Sequence, residues 1–129
     1  MLDDAAAKAL ALRYCELMNA GDLDAVMALF AADVVFTDPL GTPPLRGHAA
    51  LREHLGKAIA ARIEEVPGAP TGSLRGGLVA LPVTGTMDAP GGGRLRFSLV
   101  SLIELDAAGL IRTVRIIAGR SDYTLAEAG

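Results

Sequence analysis

The sequence predicts an α+β domain in which three helices pack on one side of a curved, mostly antiparallel β-sheet. Three observations lead there. Apolar residues in the first half of the chain recur at helical spacing. Those in the second half alternate with period two. Glycine- and proline-rich turns separate the alternating runs, and helices followed by strands, rather than alternating with them, indicate an α+β layout.

Leu10, Tyr14, Leu17 and Met18 stand at i, i+4, i+7 and i+8, one face of a first helix. Asn19-Ala20-Gly21 stops it, with Gly21 as the left-handed cap. Asp22 then caps a second helix whose apolar face carries Val26, Leu29 and Phe30. Residues 34–38 read as a short strand ended by Pro39, and residues 40–44 as a loop. A third helix runs from about Ala49 to Ala60, with Leu51, Leu55 and Ile59 four apart. Arg62 to Val66 forms a short strand, and residues 67–72 a turn-rich loop. Residues 74–87 are a glycine-broken strand with Val79, Leu81, Val83 and Met87 on one face. The turn at 88–93 leads into strands at 94–105 and 110–118, joined at Asp106-Ala107-Ala108-Gly109.

A chain of 129 residues makes one domain, spanning 1–129. With 51% hydrophobic and 21% charged residues, the chain has enough apolar surface to fold. Aromatics are 4%, so the core rests on Leu, Val, Ile and Ala. A net charge of −3 with scattered arginines argues against nucleic acid or an anionic membrane as the main partner. The lone Cys15 precludes an internal disulfide, fits a reducing compartment and reads as a small buried hydrophobe. The acidic start Met-Leu-Asp-Asp does not resemble a signal peptide, and no apolar run approaches the ~20 residues of a membrane span. These features predict a cytoplasmic protein.

Asp38 is the leading candidate for chemistry. It ends an apolar run, shares a face with Val34 and Phe36, and adjoins a loop. A turn aspartate bonding the backbone before Pro39 is the plainer alternative. Tyr14 lies on the first helix among apolar neighbours, as a site phenol or as a core tyrosine with its hydroxyl at the rim. In the penultimate strand Leu95, Phe97, Leu99, Ser101, Ile103 and Leu105 point one way, so Ser101 falls on the apolar face. There it needs a partner or a purpose, although strand serines often bond a neighbouring carbonyl. In the last strand Val114, Ile116 and Ala118 share a face. His48 belongs at the start of the third helix and His54 on its surface or rim; six apart, they suit no helical metal pair. Gly91-Gly92-Gly93 lies between strands and is a turn, not a phosphate cradle.

Arg13-Tyr14-Cys15-Glu16-Leu17, Asn19-Ala20-Gly21-Asp22-Leu23-Asp24 and Leu29-Phe30-Ala31-Ala32-Asp33 resemble the opening of the bacterial Δ5-3-ketosteroid isomerases. Phe36-Thr37-Asp38-Pro39-Leu40-Gly41-Thr42-Pro43-Pro44 resembles their catalytic strand and loop. The likeness is dense from about residue 10 to 56 and returns at Leu105–Ile111. It implies the cone-shaped, nuclear transport factor 2-like (cystatin-like) fold that also houses SnoaL-like cyclases, and a homodimer through the outer face of the sheet. It implies Asp38 as a base carrying a proton between carbons of a ketone, and Tyr14 as a hydrogen-bond donor to the enolate, with no cofactor or metal. Ser101 falls where the family has a second, protonated acid, and is expected to donate in its place. Phe30 and Leu55 stand where some relatives have supporting tyrosines, and Ala118 where many carry a bulky aromatic.

The expected activity is therefore isomerisation of a 3-oxo-Δ5-steroid or similar apolar ketone, with Phe36, Leu99, Val114, Ile116 and Ala118 lining the substrate site. A SnoaL-like polyketide cyclase or lyase using the same base and donor is the enzymatic alternative. A non-catalytic cone that binds a small molecule is the other.

Overall fold

The computed structural model describes residues 3–126. Helix α1 (Asp4–Ala20) begins at Asp3, whose side chain accepts from the Ala5 N–H. It ends at Gly21, in the left-handed conformation at φ 70°, whose N–H returns to the carbonyls of the last turn. Its buried stripe is Ala7, Ala11, Cys15 and Met18, with Tyr14 beside it. Helix α2 (Leu23–Met27) is capped by Asp22, which accepts from the Ala25 N–H. Helix α3 (Gly47–Ala60) buries Leu51 and Leu55.

The strands are β1 (Phe30–Thr37), β2 (Leu45–Arg46), β3 (Glu64–Pro67), β4 (Leu78–Asp88), β5 (Arg94–Leu105), β6 (Ile111–Ile117) and β7 (Tyr123–Ala126). They form one sheet in the order β2-β1-β6-β5-β4-β3, with β7 added to β5. Among the described strands only the β1–β6 pairing is parallel. The helices cover the inner face, where Phe36, Leu51, Leu81, Ile111, Val26 and Val34 are almost wholly buried. Alternation behaves as the sequence predicts: Phe97, Ser101, Ile103 and Leu105 of β5 face inward, as do Val79, Leu81 and Val83 of β4.

Among the boundaries that differ from expectation, three bear on the site. The second helix does not reach Leu29 and Phe30, because the sheet captures the chain there. The Ile111 N–H donates to the Leu29 carbonyl at 2.8 Å, and Phe30 opens β1 opposite Ile111. The fourth strand begins at Leu78 rather than residue 74. Ser73 to Gly76 close a turn first, and Gly76 and Gly77 both take positive φ. The last strand ends at Ile117, so Ala118 lies outside it. The short strands β2 and β7 lack enough alternation to be seen in sequence; their registers are set by the partners β1 and β5.

Candidate active site

The site is built from the ends of elements. Asp38 follows the last residue of β1, and the loop behind it is tied down where the Leu40 N–H donates to the Ile116 carbonyl at 2.8 Å. Tyr14 comes from α1, edge-on to Phe30 with ring centres 5.8 Å apart. Phe30 in turn packs edge-on against Phe36. These rings line an inner cavity of about 20 Å³ with Glu65, Leu99, Ser101, Val114 and Ile116. An adjoining space of about 90 Å³ shares Tyr14, Phe36, Glu65, Leu99 and Ile116 and adds Asp38 and His54. From Asp38 and His54 the site opens into a vestibule of about 630 Å³ walled mainly by small and apolar residues, among them Ala58, Ala61, Ile63, Met87 and Leu95.

Every catalytic candidate from the sequence reaches this cavity system. Asp38 and Tyr14 share one wall system, and Ser101, 7% exposed, lies in the innermost part. Phe36, Leu99, Val114 and Ile116, the residues expected at a substrate site, line it. Ala118 does not: it is half-buried just past the end of β6 and lines neither space.

Two groups went unrecognised in the sequence. His54 is at the rim, as read, but its Nε2 donates to Asp38 Oδ2 at 3.0 Å. Its ring also leans against Phe36, 5.8 Å between centres. Glu65 is the second. It lies in an exposed-looking short strand beside another glutamate, yet it shares parity with Ile63, and both line the cavity. That parity was the available signal.

The surroundings of the two carboxyls differ. Asp38 is bonded to an imidazole at the mouth of the site. Glu65 Oε1 is shut off from solvent and has no hydrogen-bond partner among the described residues. Loss of hydration, and secondarily the charge of Asp38, push the Glu65 carboxyl up to about 7. Burial, then the negative charge of Glu65, Cys15 and Asp38, push Tyr14 well above the ordinary phenol range. At neutral pH, Tyr14 is therefore a donor, and Glu65 is protonated in a large share of molecules.

The mouth is braced from outside. Arg62, at positive φ between α3 and β3, grips Asp88 at the end of β4 through two hydrogen bonds of 2.8 and 2.6 Å. Arg94 adds a bond to Asp88 at 3.0 Å and another to Thr86 at 2.7 Å. The two guanidiniums hold the Asp88 carboxyl well below the usual carboxylate range. Among the described residues no group of His, Cys, Asp and Glu side chains could hold a metal ion, and no helix is long and apolar enough to cross a membrane.

Residues 11–114 match the SnoaL-like domain family. The chain is 42% identical over 118 residues to the epoxide hydrolase LasB of Streptomyces lasalocidi, which covers 89% of this chain and 42% of LasB. It is 36% identical over 56 residues to a steroid Delta-isomerase of Nocardioides simplex, covering 43% of this chain and 46% of that protein. The matched stretch thus spans less than half the length of either relative. Among solved structures, the epoxide hydrolase/cyclase-like enzyme SalBIII, described in pyran ring formation in the polyether salinomycin, superposes with a TM-score of 0.92. That match has 26% identity and covers 98% of this chain and 100% of SalBIII. A Mycobacterium tuberculosis protein in complex with estradiol-17beta-hemisuccinate superposes with a TM-score of 0.86 at 23% identity, over 93% of this chain and 98% of its own. At that identity the likeness concerns the fold. The chain belongs to the SnoaL-like domain family, within the nuclear transport factor 2-like superfamily.

Proposed function

We propose that this SnoaL-like protein opens an epoxide on a polyketide-like chain by general acid–base catalysis, an internal hydroxyl closing a cyclic ether. The observation that carries the proposal is the pair of carboxyls in one apolar cavity with opposite surroundings. Asp38 is bonded to His54, and Glu65 Oε1 is buried with no hydrogen-bond partner among the described residues. An epoxide is a weak leaving group until its oxygen is protonated, and a hydroxyl is a weak nucleophile until it loses its proton. One site must therefore hold an ionised and a protonated acid together.

In the proposed step Asp38 accepts the proton of the substrate hydroxyl as that oxygen attacks an epoxide carbon. The carbon–oxygen bond of the epoxide breaks, and its oxygen takes the proton of Glu65. Tyr14 and Ser101 are placed to donate to oxygens of the bound chain. Turnover leaves Asp38 protonated and Glu65 ionised, and one proton transfer between them restores the site. The small inner space suits the reacting end of a chain, and the larger vestibule suits the remainder. The similarity to LasB and SalBIII supports the same reading.

Asp38→Asn and Glu65→Gln should each lower kcat for cyclisation of a γ,δ-epoxy alcohol by roughly 10²–10⁴ and leave KM within a few fold. Retention of turnover within tenfold in either variant would rule out that residue's role.

The steroid isomerase reading keeps a specific observation in its favour. Glu65 supplies a buried neutral acid that could join Tyr14 in stabilising an enolate, the task that the resemblance to the isomerases implies for Ser101. Turnover of 5-androstene-3,17-dione to the conjugated enone, with no opening of epoxy alcohols, would select it. A homodimer through the outer sheet face belongs to the proposal in either case. The groove there, about 400 Å³, includes Val66, Pro82, Val100 and Ile117.

A further inference from the structure

We infer that Asn19, at the end of α1, is the positioning residue that sets Glu65 in the cavity, an inference that rests on the acid role proposed for Glu65. Strand β3 is the last in the sheet, paired on one side with β4, where Glu65 lies opposite Gly85. Among the described residues its other side has no strand to pair with. The backbone of Glu65 is instead matched there by a side chain 46 residues away. The Glu65 N–H donates to Asn19 Oδ1 at 2.6 Å, and Asn19 Nδ2 donates to the Glu65 carbonyl at 2.8 Å. A primary amide sets an N–H donor and a carbonyl acceptor side by side in one plane, as a peptide edge does, so Asn19 acts as a one-residue extension of the sheet.

The sequence reading of Asn19 as part of a helix stop does not account for these bonds. The helix end is closed by backbone alone: the Gly21 N–H donates to the Met18 carbonyl and the Asp22 N–H to the Leu17 carbonyl. The Asn19 side chain takes no part in that closure. It spends both hydrogen-bonding groups on the one residue of β3 whose carboxyl enters the site.

On the other side, Gly85 allows β3 to come close. A Cβ there would lie 2.2 Å from the Glu64 carbonyl oxygen and 2.5 Å from the Phe97 ring. Glu65 is thus held at both edges, with its carboxyl facing inward. Losing the Asn19 bonds frees the edge, lets β3 move outward and lets water reach the carboxyl.

Tyr14 and Cys15 of α1, Asp38 beyond β1, His54 of α3 and Tyr123 of β7 are the titratable groups around the carboxyl. Substitution of Asn19 changes none of them, so a change in the Glu65 titration reports its own placement.

The test uses Asn19→Ala and Asn19→Ser. Glu65 is titrated by carbon NMR of side-chain-labelled glutamate, with its signal assigned by its loss in Glu65→Gln. The wild-type midpoint is expected at about 7, because burial raises it. Both variants should bring it down by roughly one pH unit as water replaces the apolar wall. The descending limb of the pH–rate profile should move with it, and kcat at pH 7.5 should fall roughly three- to tenfold, the scale of one or two hydrogen bonds, with KM within twofold. An unchanged midpoint in either folded variant overturns the inference, even if the melting temperature drops. The titration needs no substrate, so it stays readable if the acid role fails. Unaltered turnover in Glu65→Gln would overturn that role, whereas an unmoved midpoint in the Asn19 variants overturns the positioning.

Discussion

At the scale of single residues, chemistry follows from which polar groups have partners. Asp38 has His54, whose imidazole N–H fixes one carboxylate oxygen; in the proposed step the other accepts the proton of the substrate hydroxyl. His54→Phe should lower kcat roughly ten- to a hundredfold, because the base loses its orientation, and His54→Gln should recover part of the loss by offering an N–H again. If His54→Phe turns over within twofold of wild type in steady-state assays, the hydrogen bond is incidental. Asp38, Tyr14 and Ser101 were legible in sequence because each is a polar group on an apolar face, and the resemblance to the isomerases reinforced the first two. Glu65 was hidden by Glu64 beside it: two adjacent acids look like a solvated edge unless the parity with Ile63 is followed. His54 could be placed at the rim, but its bond to Asp38 depends on how α3 lies against β1, which no local pattern states. Ala118 was misplaced because the strand that should have carried it ends one residue sooner.

At the scale of elements, the site depends on the close approach of β3 to β4. That approach is bought by the missing side chain of Gly85, opposite Glu65. Gly85→Ala should destabilise the fold by about 1–3 kcal/mol, the usual range for overpacking, because the backbone of Glu64 and the ring of Phe97 must both yield. Urea unfolding checks the stability, and the pH–rate profile checks the site. A fully stable Gly85→Ala would mean that β3 sits farther from β4 than described. The long strands β4, β5 and β6 were readable from alternation, since a buried face imposes period two. The five-residue α2 and the strands β2 and β7 were not, because pairing partners far along the chain, rather than local propensity, decide where such short pieces begin and end.

At the scale of the whole molecule, a buried acid ties stability to pH. The Glu65 carboxyl is raised from an ordinary 4.5 to about 7, so the folded state holds this proton more tightly than the unfolded chain. Its contribution is fully present below pH 4.5, declines as pH rises through that window, and is lost above about 7. The raised value corresponds to roughly 3 kcal/mol at most. Glu65→Gln removes the dependence, so its melting temperature should overtake the wild-type value as pH goes from 5 to 8. Parallel melting curves across that range would contradict the buried, partnerless acid.

The same acid stands at the centre of the functional account, which is tested most directly by the fate of an epoxy alcohol in ¹⁸O-water. A chain hydroxyl attacking under Asp38 and Glu65 yields a cyclic ether with no label, at a rate that falls as pH rises through about 7. A labelled diol, or no product above the buffer rate, would contradict ring closure by this pair.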